Sequence, residues 1–253
     1  MVPYALSRRR STLRSATASV LVATLTLTGC TPRNTQRPPV RPATGPAPSA
    51  TAAVERVLAG SLHGRTGAYL VVRDAASRVE VRLADLPGLL YRVSTPADSG
   101  LAPRVTGAPG RVRLGLRSTG ADGPDIVTIL LNREVRWDIR LPAGAGEQRL
   151  DLAEGRVTRV DLGASGLVDL RLPDPAGTVP VTFTGGVGSV EIAGPPAAPV
   201  RIRLREGAGA VVTPWTANNG TPAGAVLVAP GWGASSNRYT VYARAGLGTL
   251  TLR

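Results

Sequence analysis

Val135-Arg136-Trp137-Asp138-Ile139-Arg140-Leu141-Pro142-Ala143-Gly144-Ala145-Gly146 is the stretch from which the fold is read. Apolar side chains at 135, 137, 139 and 141 alternate with Arg136, Asp138 and Arg140, and the run closes on a Gly-x-Gly pair. Successive side chains of an extended chain point to opposite faces, so this spacing predicts a strand with one dry and one wet face. The pattern recurs. Val79, Val81 and Leu83 alternate with Arg78, Glu80 and Arg82, and Val112, Leu114 and Leu116 alternate with Arg111, Arg113 and Arg117. Val200, Ile202 and Leu204 alternate with Arg201, Arg203 and Arg205. A short helix is expected over residues 53–59, and almost nothing else has helical periodicity.

A longer repeat lies over the alternation. Gly-x-Gly followed by alternating apolar residues stands at Gly144/Gly146, Gly186/Gly188, Gly207/Gly209 and Gly246/Gly248, with a degenerate copy at Ala164/Gly166. The second glycines are 20, 22, 21 and 39 residues apart, so the last step reads as two periods, with residues 213–236 filling an irregular coil. A period of about 21 with two short strands per repeat predicts an all-β domain built as a β-solenoid. Glycine at a fixed corner allows positive φ and close stacking of one coil on the next. A β-sandwich with Gly-rich hairpin turns is the alternative. The domain is expected over 53–253, with its repeats clearest in 123–253.

All 30 basic residues are arginine, and the formal net charge is +13. Such a balance permits contact with anionic lipid or anionic polymers. The single cysteine, Cys30, excludes an internal disulfide framework and a Cys-based zinc site, and the single histidine, His63, argues against His-ligated metals and a Ser-His-Asp triad. Arg8, Arg9, Arg10 and Arg14 open a positive segment, followed by an uncharged, mostly small and apolar run from 15 to 28. That run is short for a transmembrane helix, which needs roughly 20 residues, and reads as a signal peptide over 1–29.

Leu27-Thr28-Gly29-Cys30 resembles the lipobox of bacterial lipoproteins in all four positions. The resemblance implies cleavage before Cys30, lipidation of its thiol, and a membrane anchor on the extracytoplasmic face. At about 0.8 kcal/mol per buried methylene, two acyl chains hold a protein stably where one does not. Residues 30–52 are rich in Pro, Thr and Ala without apolar periodicity, and read as a semi-extended tether. Export also argues against a nucleic-acid partner.

From Trp137 onward the chain resembles the C-terminal domain of bacterial cell-wall-stress (antibiotic-response) membrane proteins and the related adhesin-like or toast-rack domains. The residues that carry it are Trp137-Asp-Ile-Arg-Leu, Gly163-Ala-Ser-Gly-Leu-Val-Asp-Leu-Arg-Leu-Pro, Phe183-Thr-Gly-Gly-Val-Gly-Ser-Val-Glu-Ile and Asn237-Arg-Tyr-Thr-Val. The resemblance implies a solenoid-like fold at the cell envelope and transfers no catalytic residue.

No catalytic, cofactor or metal constellation is found. Gly185-Gly186-Val187-Gly188-Ser189-Val190 resembles a calcium-binding glycine repeat, but Val190 stands where the ligating Asp is needed. Its Gly-x-Gly units precede strands, so they make neither a dinucleotide fingerprint nor a phosphate loop. Asp122/Asp125, Asp151/Glu154 and Asp169/Asp174 are local carboxylate pairs of the kind polysaccharide-cleaving β-helices use, and make such an enzyme the rival reading. The more pointed set is Arg136, Arg140, Arg201, Arg203 and Arg205, with Arg159, Arg238 and Arg244 as neighbours. Stacked coils would gather the outward members on one face, as an anion-binding strip for an envelope polymer or lipid headgroups. The expected protein is a non-enzymatic, membrane-anchored scaffold, adhesin-like surface or ligand-sensing module. Another envelope protein is a further expected partner, through strand addition at an open end formed by 247–253.

Overall fold

A computed structural model describes residues 55–253. The expected signal segment, Cys30, the Pro-rich stretch and the first two residues of the expected helix lie outside them. Where that helix was expected to continue, the chain forms strand β1 (Arg56–Ser61), antiparallel to β4 (Leu89–Thr95). The correction has a simple cause. A seven-residue segment is too short to hold a helix in water by itself, and a sheet edge offers its backbone ready partners. Val57 and Leu58 remain exposed on that edge.

Among the described residues every regular element is a strand, and seven coils each give one strand to each of two sheets. In chain order they are β2 (Gly67–Val72) with β3 (Ala76–Ala84), β6 (Arg111–Ser118) with β7 (Ile126–Asn132), and β8 (Arg136–Leu141) with β9 (Ala145–Asp151). Then come β10 (Arg156–Leu162) with β11 (Ser165–Arg171), β12 (Thr178–Phe183) with β13 (Val187–Ala193), β14 (Val200–Leu204) with β15 (Ala208–Thr213), and β18 (Arg238–Ala243) with β19 (Leu247–Leu252). Neighbouring coils pair parallel and in register: Arg140 lies opposite Asp161 and Asp161 opposite Thr182, each 21 residues on. Parallel pairing decides between the two expected architectures. Hairpins place consecutive strands antiparallel, whereas here successive strands alternate between sheets, as a solenoid requires.

The stacking order is not the chain order. The nine-stranded sheet runs β17-β14-β18-β12-β10-β8-β2-β6-β5, and the ten-stranded sheet runs β1-β4-β7-β3-β9-β11-β13-β19-β15-β16. At each end the chain therefore builds an outer coil and then returns to lay the next one inside it. Antiparallel strands finish the ends: β1 and β4, β5 (Leu101–Thr106), β16 (Thr216–Thr221) and β17 (Val226–Val228). Such strands manage edges that would otherwise template association. Pro103 removes a donor from β5, β16 is largely polar, and β17 has only three residues.

This order corrects two expectations about the C-terminus. Strand β19 is no open edge, since it pairs with β13 on one side and β15 on the other. The 39-residue step is likewise not two periods with an irregular coil over 213–236, because Gly248 sits between Gly188 and Gly209 in the stack and that segment carries the closing strands β16 and β17. The corner glycines do form a column. A Cβ on Gly188 would come within 2.7 Å of the Gly166 carbonyl oxygen, one on Gly209 within 2.6 Å of that of Gly248, and one on Gly248 would strike that of Gly188. These second glycines have ordinary φ, so close backbone approach selects them; positive φ is confined to Gly144 (74°) and Gly207 (87°) among the first glycines.

Both sheets turn their inward rows to one core. Val135, Trp137, Ile139, Phe183 and Ile202 are 0% exposed, with Leu204 at 1% and Val200 at 4%. Their outward neighbours Arg136 and Arg203 are exposed and Arg140 and Arg201 half-buried. Asp138 departs from the expected exposure at 9%, because a neighbouring arginine lies over it.

Candidate functional site

The outer face of the nine-stranded sheet carries the arginines singled out above, and cross-strand register sorts them. Asp138 lies opposite Arg159, and Arg140 opposite Asp161. Arg140 donates through Nε and Nη2 to the two carboxylate oxygens of Asp138, both at 2.8 Å, and approaches Asp161 at 3.8 Å. Arg159 Nε donates to Asp161 at 2.7 Å. The hydrogen bond with Asp138 raises the Arg140 pKa, burial opposes it, and the charges of Asp138 and Asp161 add to the rise. Two cations and two anions thus form a neutral quartet at the middle of the sheet.

The ten-stranded sheet repeats this plan. Arg78 stands opposite Glu147, Glu80 opposite Arg149, and Arg82 opposite Asp151; one strand further, Asp169 faces Arg149 and Arg171 faces Asp151. Signs alternate both along and across strands, the arrangement that stabilises cross-strand pairs. Arg78 donates to Glu147 at 2.5 Å and Arg149 at 2.7 Å. Burial alone would raise the Glu147 pKa, but the hydrogen bonds from Arg78 and Arg149 outweigh it and hold the carboxyl below its ordinary value. Asp151 and Asp169 are set among arginines here, while Glu154 lies 3.6 Å from Arg133. Among the described residues no three His, Cys, Asp or Glu side chains converge in a metal-binding group.

The C-terminal end of the nine-stranded sheet differs in kind. Arg201 and Arg203 project outward from β14, opposite Thr240 and Tyr242 of β18. Arg205 and Arg244 follow in the next outward row, where the Arg205 N–H bonds the Ala243 carbonyl. The Arg244 guanidinium lies 5.7 Å from the centre of the Tyr242 ring. Arg201 and Arg238 each place their guanidinium carbon 4.0 Å from the centre of the Trp232 ring. The indole N–H is tied to the Tyr239 carbonyl at 3.0 Å, and Arg238 donates to the Trp232 carbonyl at 2.9 Å. Arg201 Nε is buried without a hydrogen-bond partner, so stacking on the indole is what holds this guanidinium.

Among the described residues, none of Arg201, Arg203, Arg205, Arg238 and Arg244 has a carboxylate oxygen within 4.0 Å, whereas Arg140 and Arg159 do. A cavity of about 290 Å³ opens beside Arg203 and Arg205, with Tyr242 and Val226 on its walls. Guanidiniums held in this way present forked donors that match a phosphate, sulfate or carboxylate group.

The structure thus brings Arg201, Arg203 and Arg205 together with Arg238 and Arg244, and sets Arg136 and Arg140 apart. Strand β8, which carries both, is four strand steps from β14, about 19 Å at 4.8 Å per step. Arg136 is exposed beside Arg156. Cys30 lies outside the described residues. Sequence reasoning missed Tyr242 and the clamp on Trp232. Tyr242 has the outward phase of its strand, a signal available in the sequence, but its arginine neighbours depend on which coil lies beside it. Trp215 is half-buried against the core and caps it.

No model of a protein family matches the chain, and no curated protein matches it. Among solved structures, a candidate cell adhesion protein from Clostridium sporogenes superposes with a TM-score of 0.63 at 20% identity, over 79% of this chain and 98% of that one. Candidate adhesins from Bacteroides fragilis (TM-score 0.27, 8% identity, 79% and 96% covered) and Parabacteroides distasonis (TM-score 0.20, 9% identity, 79% and 98% covered) are more distant. At these identities the likeness is one of architecture: the described chain has the fold of the clostridial protein.

Proposed function

We propose that this chain is an exported, lipid-anchored and non-enzymatic envelope protein, whose stacked β-domain is an adhesin-like module that binds anionic polymer. One observation carries the binding surface. The middle of the nine-stranded sheet pairs Arg140 and Arg159 with Asp138 and Asp161, while among the described residues none of Arg201, Arg203, Arg205, Arg238 and Arg244 has a carboxylate oxygen within 4.0 Å. Like charges so placed repel, and a polyanion relieves that repulsion while accepting forked hydrogen bonds. The lipobox supports the anchor. The fold shared with a candidate cell adhesion protein, and the resemblance to envelope-stress domains, support the adhesin-like role.

Cys30→Ala tests the anchor. The variant is expected to lose its acyl chains and to leave the membrane fraction. Unchanged partitioning into detergent would overturn lipid anchoring.

The binding surface is tested on residues 50–253, the compact unit that holds the complete core. Binding to teichoic-type polymer is expected at low salt and to weaken towards 1 M, where the Debye length is about 3 Å. Replacing Arg201, Arg203 and Arg205 together by Gln should weaken binding several-fold and leave the unfolding midpoint in place. Equal binding by wild type and variant makes these arginines a solvated face only.

A further inference from the structure

The other end of the same face carries a second basic cluster, built from a part of the chain about a hundred residues away. Arg111 and Arg113 project from β6 opposite Tyr69 and Val71 of β2. Arg104 and Arg117 share the outward phase of the β5–β6 hairpin, where Arg104 faces Gly115 and Ala102 faces Arg117. Arg73 follows Val71 in phase, its N–H bonded to the Leu114 carbonyl. All five side chains are exposed, and among the described residues none has a carboxylate oxygen within 4.0 Å. Asp74 is the acidic residue nearby, and its carboxylate is engaged by the Leu116 N–H at 2.8 Å. A cavity of about 470 Å³ lies among Arg73, Arg104 and Arg117.

One sheet face therefore carries a basic cluster at each end of the stacking axis, and between them the exposed Arg136 and Arg156 accompany a charge-paired quartet. Strand β6 is six steps from β14, about 29 Å at 4.8 Å per step. Between them the Asp138–Arg140–Arg159–Asp161 quartet adds no net charge. A small anion gains nothing from two clusters so far apart, since the Debye length is about 8 Å at physiological salt. An extended chain of repeated negative charges, lying across the strands, reaches both at once.

From this geometry we infer that the outer face of the nine-stranded sheet is a two-point binding track for a linear polyanion of about 29 Å or longer. The inference rests on the binding function proposed above and adds a length requirement and a second set of contact residues. Once one cluster is engaged, binding of the other is intramolecular, and such linkage strengthens binding by about 10²–10⁴-fold without any new kind of contact.

The test uses residues 50–253 with linear inorganic polyphosphate as the probe, in tripolyphosphate and in chains long enough to span both clusters. Wild type is expected to bind the long chain about 10²-fold or more tightly than tripolyphosphate, compared per phosphate. Replacing Arg104, Arg113 and Arg117 by Gln should remove most of that advantage, and so should Gln at 201, 203 and 205. Each variant should retain tripolyphosphate binding at its intact end. Repeating the series with polygalacturonate distinguishes carboxylate from phosphate polymers as the preferred source of charge. A wild type with no length dependence, or an N-terminal variant that binds long chains like wild type, overturns the two-point track and leaves the C-terminal site standing. Failure of every polyanion to bind overturns both readings, as does binding confined to anionic vesicles. The wild-type length series needs no variant to fold.

Discussion

Removal of residues 246–253 is expected to abolish cooperative folding of the domain. Strand β19 lies between β13 and β15, so its loss exposes the hydrogen-bonding edges of both. It also withdraws Leu247, Leu250 and Leu252, which are 4%, 0% and 6% exposed. At roughly 1.5–3 kcal/mol for each buried leucine, these side chains alone amount to about 5–9 kcal/mol. The whole stability of an ordinary domain is about 5–15 kcal/mol. Chemical denaturation of residues 50–245 followed by circular dichroism should therefore show a broad or absent transition. Deleting β1 instead removes an edge strand whose Val57 and Leu58 are exposed, and should shift the midpoint far less. A normal, steep transition in the C-terminal deletion would mean that β19 does not occupy the interior of its sheet.

Trp137→Ala is the single substitution expected to cost most. The indole is the largest of the fully buried side chains, and its Nε1–H donates to the Asn132 carbonyl at 2.9 Å. Asn132 is itself part of the turn that leads into β8: its Nδ2 donates to the carbonyls of Leu86 and Leu89, and its Oδ1 accepts the Glu134 N–H. Alanine leaves a cavity that the stacked backbones cannot close, and a carbonyl without its donor. Together these should cost about 3–5 kcal/mol. Trp137→Phe keeps most of the apolar volume and loses the hydrogen bond, so its cost should fall between alanine and wild type. A loss under about 1 kcal/mol for alanine, measured by denaturant titration, would overturn the inward assignment of the strand.

The amino-acid sequence by itself determined that this is an all-β domain of short alternating strands, and which side chains point inward. Both are local properties, whereas the parallel stacking that sets it apart from a β-sandwich came from the tertiary structure. The alternation around Trp137 and around Ile202 depends on backbone geometry within one strand, and the corner glycines answer a steric demand that recurs in the five coils from β8 onward. The unpaired state of Arg201, Arg203 and Arg205 was partly legible too, since no acidic residue stands between them on their own strand.

The tertiary structure alone decided which coils are neighbours. Coils of this kind have nearly identical inward rows, so their pattern does not distinguish Gly248 stacked on Gly188 from Gly248 stacked beyond Gly209. That choice rests on contacts between segments far apart in the chain, such as Tyr242 beside Arg203, and on the antiparallel strands that close each end. Charge followed from the same choice. Arg140 and Arg203 have the same spacing within their strands, yet one meets Asp161 across the sheet and the other meets Tyr242. Arg140–Asp138 and Arg159–Asp161 are pairs two residues apart on one strand. Electrostatic effects between strands depend instead on distance in space, so the gathering of arginines at the two ends of the face came only when the coils were stacked.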